Sequence, residues 1–378
     1  MKILHVAPSS SRAFGGPTYS LAAFAAAALE QGAELTIAAP KPPEADSWLA
    51  SSLPDVEVHE FRTFGGGAFL VSPALHRWLR AHGSRFDAVH VHGLLNPVSS
   101  FATRICVRKG WPVVVRPFGT MSRYTFEHRR GALKQLYRAL LDKPNLARAS
   151  AMHFTTTVER DESAWQRIGW GERAFVIPPP WMEQPRFASV AAPADSRMVL
   201  FFSRLHPVKQ LELLIDAWPD IHTYAPDATL VIAGSGDLQY VRELRARAVH
   251  LGPEVTFTGF VEGEQKAEIF RKAALFVLPS LHENFGIAVL EALAAGLPAV
   301  ITPQVQLSEF VREHALGIIT EPTVNALARS VVAALDDSVL RKRCRTQGTA
   351  LVTRYFSAHA IGEQLLEMYR FANAHPPA

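Results

Sequence analysis

The sequence predicts an α/β protein built from two parallel-sheet domains. Three observations carry this expectation. Short apolar runs alternate with amphipathic or alanine-rich stretches along the whole chain, the pattern of β-α-β units with parallel strands. Several of these runs end in polar, glycine-bearing loops, where open α/β sheets bind ligands. Five prolines fall between residues 178 and 193, so that segment reads as a linker. The 378 residues are enough for two full cores. The expected boundaries are 1–180, 190–355 and a terminal helix over 356–378.

Composition narrows the function classes. Hydrophobic content of 48% and charged content of 20% are those of an ordinary globular protein. Cys106 and Cys344 are far apart and suggest neither a disulfide framework nor a metal site, which fits a reducing compartment. The apolar run Ile3 to Ala7 stops at Pro8, too short for the core of a signal peptide, and no stretch reaches the ~18 apolar residues of a spanning helix. The expected location is cytoplasmic, with a peripheral position on the inner face of a membrane as a possibility raised by charge. Residues 1–190 carry 22 basic against 15 acidic residues, whereas the remainder carries 17 against 20. Eleven of the basic residues lie between Arg104 and Arg148, among them Arg116, Arg123, Arg129, Arg130 and Lys134, interleaved with Phe118, Tyr124, Phe126 and Tyr137. Such a block is usually a solvated face; a functional reading makes it an acceptor or anionic-membrane face. No recognition motif supports nucleic acid as a partner.

Taken in order, Lys2 to Ala7 is a first strand. Gly15-Gly16-Pro17 forms a loop whose backbone can approach a ligand, and a helix is expected from Tyr19 to Gln31. Glu34 to Ala39, Val56 to Phe61 and Ala88 to His92 are the next strands; His92 stands at a strand end and is a candidate site residue, although strand-end histidines are often structural. Trp111 to Pro117 is a further strand, followed by basic helices over Tyr124 to Leu141 and Asn145 to Arg148. Past the linker, Met198 to Ser203 opens the second domain, and the loop after it carries Arg204 and Lys209, two cations suited to a diphosphate. Ala228 to Asp237 ends in the glycine loop Gly234-Ser235-Gly236, and Val255 to Val261 is another strand. Helices are expected over Val324 to Ala334, Asp337 to Gly348 and Tyr355 to Ala372. The fifteen histidines show no ligand spacing, so no metal cofactor is expected.

The densest chemistry lies in PSLHENFGIAVLEALAAGLPAVITP, residues 279–303. A buried strand leads into a polar turn, then a helix expected from near Phe285, ending at Gly296 with Pro298 beyond. Glu283 stands in the turn and Glu291 two helical turns later, eight positions on. Asn284, Phe285, Gly286 and Ile287 frame a helix start whose free N–H groups favour an anion. Glu283 as a dipole-complementing surface charge and Glu291 as a solvated residue are the bland readings, but the apolar neighbours of Glu291 argue against them.

This segment resembles the E-x7-E signature of retaining glycosyltransferases of family 4. HGLLNP, PVVVRPFGTM and HFTTTVERD are similar to the N-terminal half of bacterial polysaccharide glycosyltransferases. The resemblance implies a GT-B fold, two Rossmann-like domains facing a central cleft, with the acceptor on the first domain, the donor on the second and the terminal helix crossing back. It implies a metal-independent enzyme moving a hexose from a nucleotide diphosphate sugar to a glycan or lipid-linked oligosaccharide. Arg204 and Lys209 would hold the diphosphate, Glu291 the ribose hydroxyls and Glu283 the donor sugar; Gly15, Gly16, Gly234 and Val261 would line the donor site. Many relatives carry histidine where this chain has Phe118, which leaves His92 or the Gly119 backbone to serve there. A double displacement needs a nucleophile on the far face of the sugar, and none is apparent, so front-side transfer is the expected course. Two other readings stand beside this one: a non-catalytic nucleotide-sugar or glycan-binding protein, and a nucleotide-sugar epimerase on the same scaffold.

Overall fold

The computed structural model describes residues 1–11, 14, 16–41, 47–65, 70–121, 131–163, 168–181 and 196–377. Contacts divide the chain into two units, Met1–Met182 with Phe356–Ala378, and Glu183–Tyr355. Each unit holds one parallel sheet. In the first, β1 (Lys2–Val6), β2 (Glu34–Pro40), β3 (Glu57–Phe61), β4 (Ala88–His92), β5 (Val113–Arg116), β6 (Ala151–Phe154) and β7 (Ala174–Val176) lie in the order β3-β2-β1-β4-β5-β6-β7. In the second, β8 (Met198–Phe202), β9 (Thr229–Ala233), β10 (Val255–Gly259), β11 (Leu275–Leu278), β12 (Ala299–Ile301) and β13 (Gly317–Ile319) lie in the order β10-β9-β8-β11-β12-β13. The winding reverses between β1 and β4 and again between β8 and β11. At such reversals the loops leaving neighbouring strands part to opposite faces and open a crevice.

The alternation of side chains explains why both faces of the first sheet are covered. Leu4, Val6, Val89, Val91, Val113 and Val115 pack against the helices Pro73–His82 and Pro97–Lys109. On the other face Ile3, Ala88, Val114 and Ala151 meet the helices Gly16–Glu30 and Ala358–Ala374. Alanines 23, 25, 27 and 28 are fully or nearly buried in the first of these helices, and their small side chains let the C-terminal helix lie close. The chain reaches that helix through a break at Ser357, whose hydroxyl caps it by accepting from Ala360 N–H.

Several element boundaries differ from expectation for local reasons. The helix expected from Phe285 is Ile287–Ala294, because Gly286 takes a left-handed φ of 98°. β10 stops at Gly259 instead of Val261, again where φ turns positive at 77°. Within the expected basic helix Tyr124–Leu141, residues 122–130 lie outside the described ones; Gly131–Tyr137 is α-helical and Arg138–Asp142 is a π turn.

Gly362 is the tightest point of the helix pair: a Cβ there would stand 2.3 Å from the Ala27 carbonyl oxygen and 2.7 Å from Gln31 Cγ. Gly362→Ala is therefore expected to push the two helices apart at a cost of about 1–3 kcal/mol. Calorimetric unfolding should show a lower Tm for the variant; an unchanged Tm would mean that the close approach contributes nothing.

Candidate functional site

The second unit concentrates polar groups at the carboxyl ends of β8 and β11, beside the reversal. After β8 the chain runs through a loop, Ser203 to Gln210, into the helix Leu211–Tyr224. Arg204 is exposed on this loop and has no hydrogen bond or ion pair with a described residue. Two backbone bonds hold the loop. Leu205 N–H donates to Ser235 O (2.8 Å), and Leu281 N–H donates to Val208 O (2.9 Å). The first requires glycine opposite: a Cβ on Gly234 would lie 1.9 Å from Ser203 O, and one on Gly236 would lie 2.0 Å from Leu205 O. Gly234 thus has a structural task, setting the position of the Arg204 loop.

The second bond brings Lys209 to Glu283. The ammonium donates to Glu283 Oε2, and both side chains are largely shielded. Glu283 is fixed by its own backbone, whose N–H donates to Gln304 O (3.1 Å) and whose carbonyl accepts from Gln306 N–H (3.2 Å). Three acceptor atoms on these loops are buried without a hydrogen-bond partner: Gln210 Oε1, Ser280 Oγ and Asn284 Oδ1. Each unmet buried acceptor costs roughly 1–3 kcal/mol, which a donor-rich ligand would recover. Phe285 is buried, Gly286 forms the left-handed entry, and Ile287 opens the helix with no side chain capping its N–H groups.

Glu291 is 9% exposed and accepts a 2.5 Å bond from Lys266 Nζ. That ammonium also lies 4.9 Å from the centre of the Phe202 ring. Sequence reading did not single out Lys266; its signal was a lone cation beside Ala267 and Phe270, the buried stripe of the helix Gly263–Lys272. Val261 is buried at 8% exposure, just beyond β10.

In the first unit the carboxyl ends of β1, β4 and β5 carry the expected candidates. Gly16 starts its helix with open space where a Cβ would stand, and Gly15 lies outside the described residues. Phe118 and Gly119 both take left-handed φ, 56° and 73°, so the backbone turns sharply after β5. Gly119 N–H and Thr155 N–H donate to the Glu159 carboxylate. Arg116 corrects an expectation. It was assigned to the basic face, yet it is 1% exposed, because the alternation of β5 turns it inward. Its guanidinium lies between the rings of Phe24 (4.3 Å) and Phe118 (3.8 Å) and donates to Ser20 Oγ (2.9 Å) and Thr155 Oγ1 (3.3 Å). Burial lowers its pKa to about 9, so it remains a cation at neutral pH. Lys134 is half-buried, and Arg123, Arg129 and Arg130 lie outside the described residues.

The histidines are not scattered in space. His5, His90, His92 and His153 meet on the Arg116 side of the sheet, all at most 1% exposed. Nitrogen atoms of His5, His90 and His92 come within 4.8 Å of one another, a grouping that the lack of ligand spacing in the sequence did not reveal. The signal was available: in Val89-His90-Val91-His92, a period of two puts both rings on one face. Burial holds all four well below the ordinary histidine pKa, His5 at about 3, and Arg116 adds to the shift. They are neutral imidazoles at pH 7.

A pH dependence of stability follows. Each histidine takes a proton near pH 6.5 when unfolded but not when folded, so this contribution is complete above pH 6.5 and is lost as pH falls. Buried Asp142, raised to about 6, and Glu159, also raised, act in the opposite sense by holding protons in the folded state. His76, also lowered by burial, adds to the histidine side, so the histidine sense prevails and stability is expected to fall as pH drops below 6.5. Urea midpoints should be level from pH 8 to 7 and drop steeply from 6.5 to 5. A level midpoint down to pH 5 would mean that the histidines are not neutral.

Comparison with known proteins agrees with both halves of this description. Residues 183–350 match the family model "Glycosyl transferases group 1", and residues 15–180 match "Glycosyl transferase 4-like domain". The phosphatidyl-myo-inositol mannosyltransferase of Mycobacterium tuberculosis is 28% identical over 352 residues, covering 85% of this chain and 87% of that protein. The alpha-D-kanosaminyltransferase of Streptomyces kanamyceticus is 30% identical over 177 residues, 47% of this chain and 46% of its own. Among solved structures, Anabaena Alr3699/HepE in complex with UDP has a TM-score of 0.76 at 20% identity, covering 98% of this chain and 100% of that one. Staphylococcus aureus TarM gives 0.75 at 11% identity over 97% and 99%. Two doubly wound sheets, the paired glutamates and two adjoining family matches converge: the chain belongs to the group 1 glycosyltransferases and is a transferase of GT-B fold.

Proposed function

We propose that this enzyme transfers a hexose, with retention, from a nucleotide diphosphate sugar to a glycan or lipid-linked acceptor. The carrying observation is the loop pair at β8 and β11, where exposed Arg204 stands beside the Lys209–Glu283 pair and three unpartnered acceptors. A leaving diphosphate gains negative charge as the anomeric bond breaks; Arg204, Lys209 and the uncapped start of the helix Ile287–Ala294 are positioned to meet it. These groups supply the positive charge the step needs, so turnover is expected to persist in a chelator. Glu283 would hold the donor-sugar hydroxyls, and Glu291 the ribose. In the front-side course, the anomeric C–O bond breaks with its electron pair leaving on the phosphate. The acceptor oxygen bonds to the same face of the carbon, and its proton passes to the departing phosphate oxygen.

HepE has been solved with UDP and with UDP-glucose, which favours a nucleotide-sugar donor, and the mannosyltransferase relatives are named for phosphatidyl-myo-inositol, which favours an acceptor at a lipid surface. On the first unit Leu133, Leu136 and Leu140 are 49%, 56% and 67% exposed at helical spacing, with Lys134 between them, which suits an anionic bilayer. No helix among the described residues is long and apolar enough to cross a membrane.

Calorimetric titration with UDP-, GDP- and ADP-sugars should find one donor that binds, and Arg204→Ala should weaken it at least tenfold, the scale of one lost charge-assisted bond. Glu283→Ala, which removes the proposed hold on the donor-sugar hydroxyls, should lose turnover. Binding of no donor, or turnover intact in Glu283→Ala, would sink the assignment, and binding without turnover in the wild type would favour a non-catalytic role. Separately, flotation with phosphatidylserine vesicles should be lost in Leu133→Ser/Leu136→Ser/Leu140→Ser; flotation unchanged by the triple substitution would remove the membrane part of the reading.

A further inference from the structure

The buried histidines form one continuous chain of hydrogen bonds. His153 Nε2 lies 2.7 Å from the Ile177 carbonyl oxygen, and its Nδ1 lies 3.3 Å from His90 Nε2. His90 Nδ1 is 2.9 Å from the Tyr369 hydroxyl, which is 3.4 Å from His5 Nε2. His5 Nδ1 then meets His92 Nε2 at 2.9 Å. One atom remains: His92 Nδ1 is buried and has no hydrogen-bond partner among the described residues.

The chain has a direction because one end is chemically fixed. A carbonyl oxygen only accepts, so His153 must donate from Nε2, and as a neutral ring it accepts at Nδ1. His90 therefore donates from Nε2 and accepts at Nδ1. Tyr369 donates to His90 and accepts from His5 Nε2–H. His5 accepts at Nδ1, so His92 donates from Nε2. Every ring is the Nε2–H tautomer, and the chain ends in a bare lone pair on His92 Nδ1.

That lone pair stands at the carboxyl end of β4, next to β1 across the reversal, where a ligand is expected. Ser99 Oγ–H donates to the His92 carbonyl (2.6 Å), and the two Nη groups of Arg116 donate to Ser20 and Thr155; Arg116 Nε is a buried donor that makes no hydrogen bond, to His92 or to any other described residue. We infer that His92 Nδ1 accepts a hydrogen bond from a carbohydrate hydroxyl of a bound substrate. On this inference His5, Tyr369, His90 and His153 are positioning residues that hold His92 in the accepting tautomer. Substrate recognition on the N-terminal unit then depends on a tyrosine from the C-terminal helix. The inference rests on the transferase reading for the identity of the ligand, but not for the tautomers.

A metal ion among His5, His90 and His92 is the competing use of the same atoms. Each ring would give up one nitrogen, and both nitrogens of His5 and of His90 already make hydrogen bonds, so a metal would break at least two of these bonds and set a dication beside buried Arg116. The trio includes no carboxylate to offset that charge.

Nitrogen-15 histidine spectra of the substrate-free, full-length protein at pH 7 should show four neutral Nε2–H rings, assigned by single substitutions. His92 as Nδ1–H or as imidazolium, or stoichiometric metal in the purified protein, would overturn the inference. Tyr369→Phe keeps the shape, severs the chain and should populate Nδ1–H at His92. With the donor found by titration, the same variant should raise KM about tenfold for one substrate and leave the other unchanged. A rise confined to the donor or to the acceptor tells which supplies the hydroxyl; no rise for either would defeat the recognition role. Should Tyr369→Phe fail to fold, the wild-type spectrum still decides the tautomers. Should the enzyme turn over no donor, the transferase reading fails while the tautomer pattern stands or falls by itself.

Discussion

A parallel sheet covered by helices on both faces leaves few places for polar chemistry. Faces are sealed by the alternation of side chains, as in Leu4 and Val6 against Ile3 of β1, and the strand ends alone open to loops that can carry charge. Within those ends, the reversal of winding singles out β8 with β11 in one unit and β1 with β4 in the other. Arg204, Lys209 and Glu283 occupy the first such place, and His92 the second. Their positions follow from topology before any catalytic argument is made.

Much of this was legible in sequence because it rests on local pattern. Strands such as Ala88–His92 and Glu34–Pro40 are apolar runs bounded by turn residues, and the span 279–303 spells out strand, turn and helix with both glutamates in place. What was not legible is what distant segments do to one another. Gly234 reads as a ligand-facing glycine, but the need for it and for Gly236 arises from Ser203 and Leu205, some thirty residues earlier, whose carbonyls leave no room for a Cβ. Lys266 could not be paired with Glu291 without knowing that the helices bearing them adjoin. Arg116 looked like one more cation in a basic block, since net charge carries no information about which side of a strand a residue takes.

The histidines show the same limit in sharper form. A reader of the sequence sees His5, His90, His92 and His153 on three separate strands and Tyr369 near the C-terminus. Each would be costly to bury unsatisfied. The sheet order places β1, β4, β5 and β6 side by side, and the helix Ala358–Ala374 lays Tyr369 across them, so that each polar atom but one finds a partner. Such a network is worth its desolvation only when complete. Its single open atom, His92 Nδ1, therefore stands out against the eight that are closed.

Ion pairs at the second site face the same balance. Lys209 and Glu283 satisfy each other, as do Lys266 and Glu291, so neither charge of either pair is left buried and alone. A substrate bearing both phosphate oxygens and hydroxyls can divide such a pair without net loss, its anion taking the ammonium and its hydroxyl the carboxylate. A ligand with only one of these features would strand the other partner. Under the proposed function, such pairing would favour molecules that carry both kinds of group. Arg204 is exposed and has no ion pair with a described residue, so under the proposed function it would meet an incoming anion before either pair has to open.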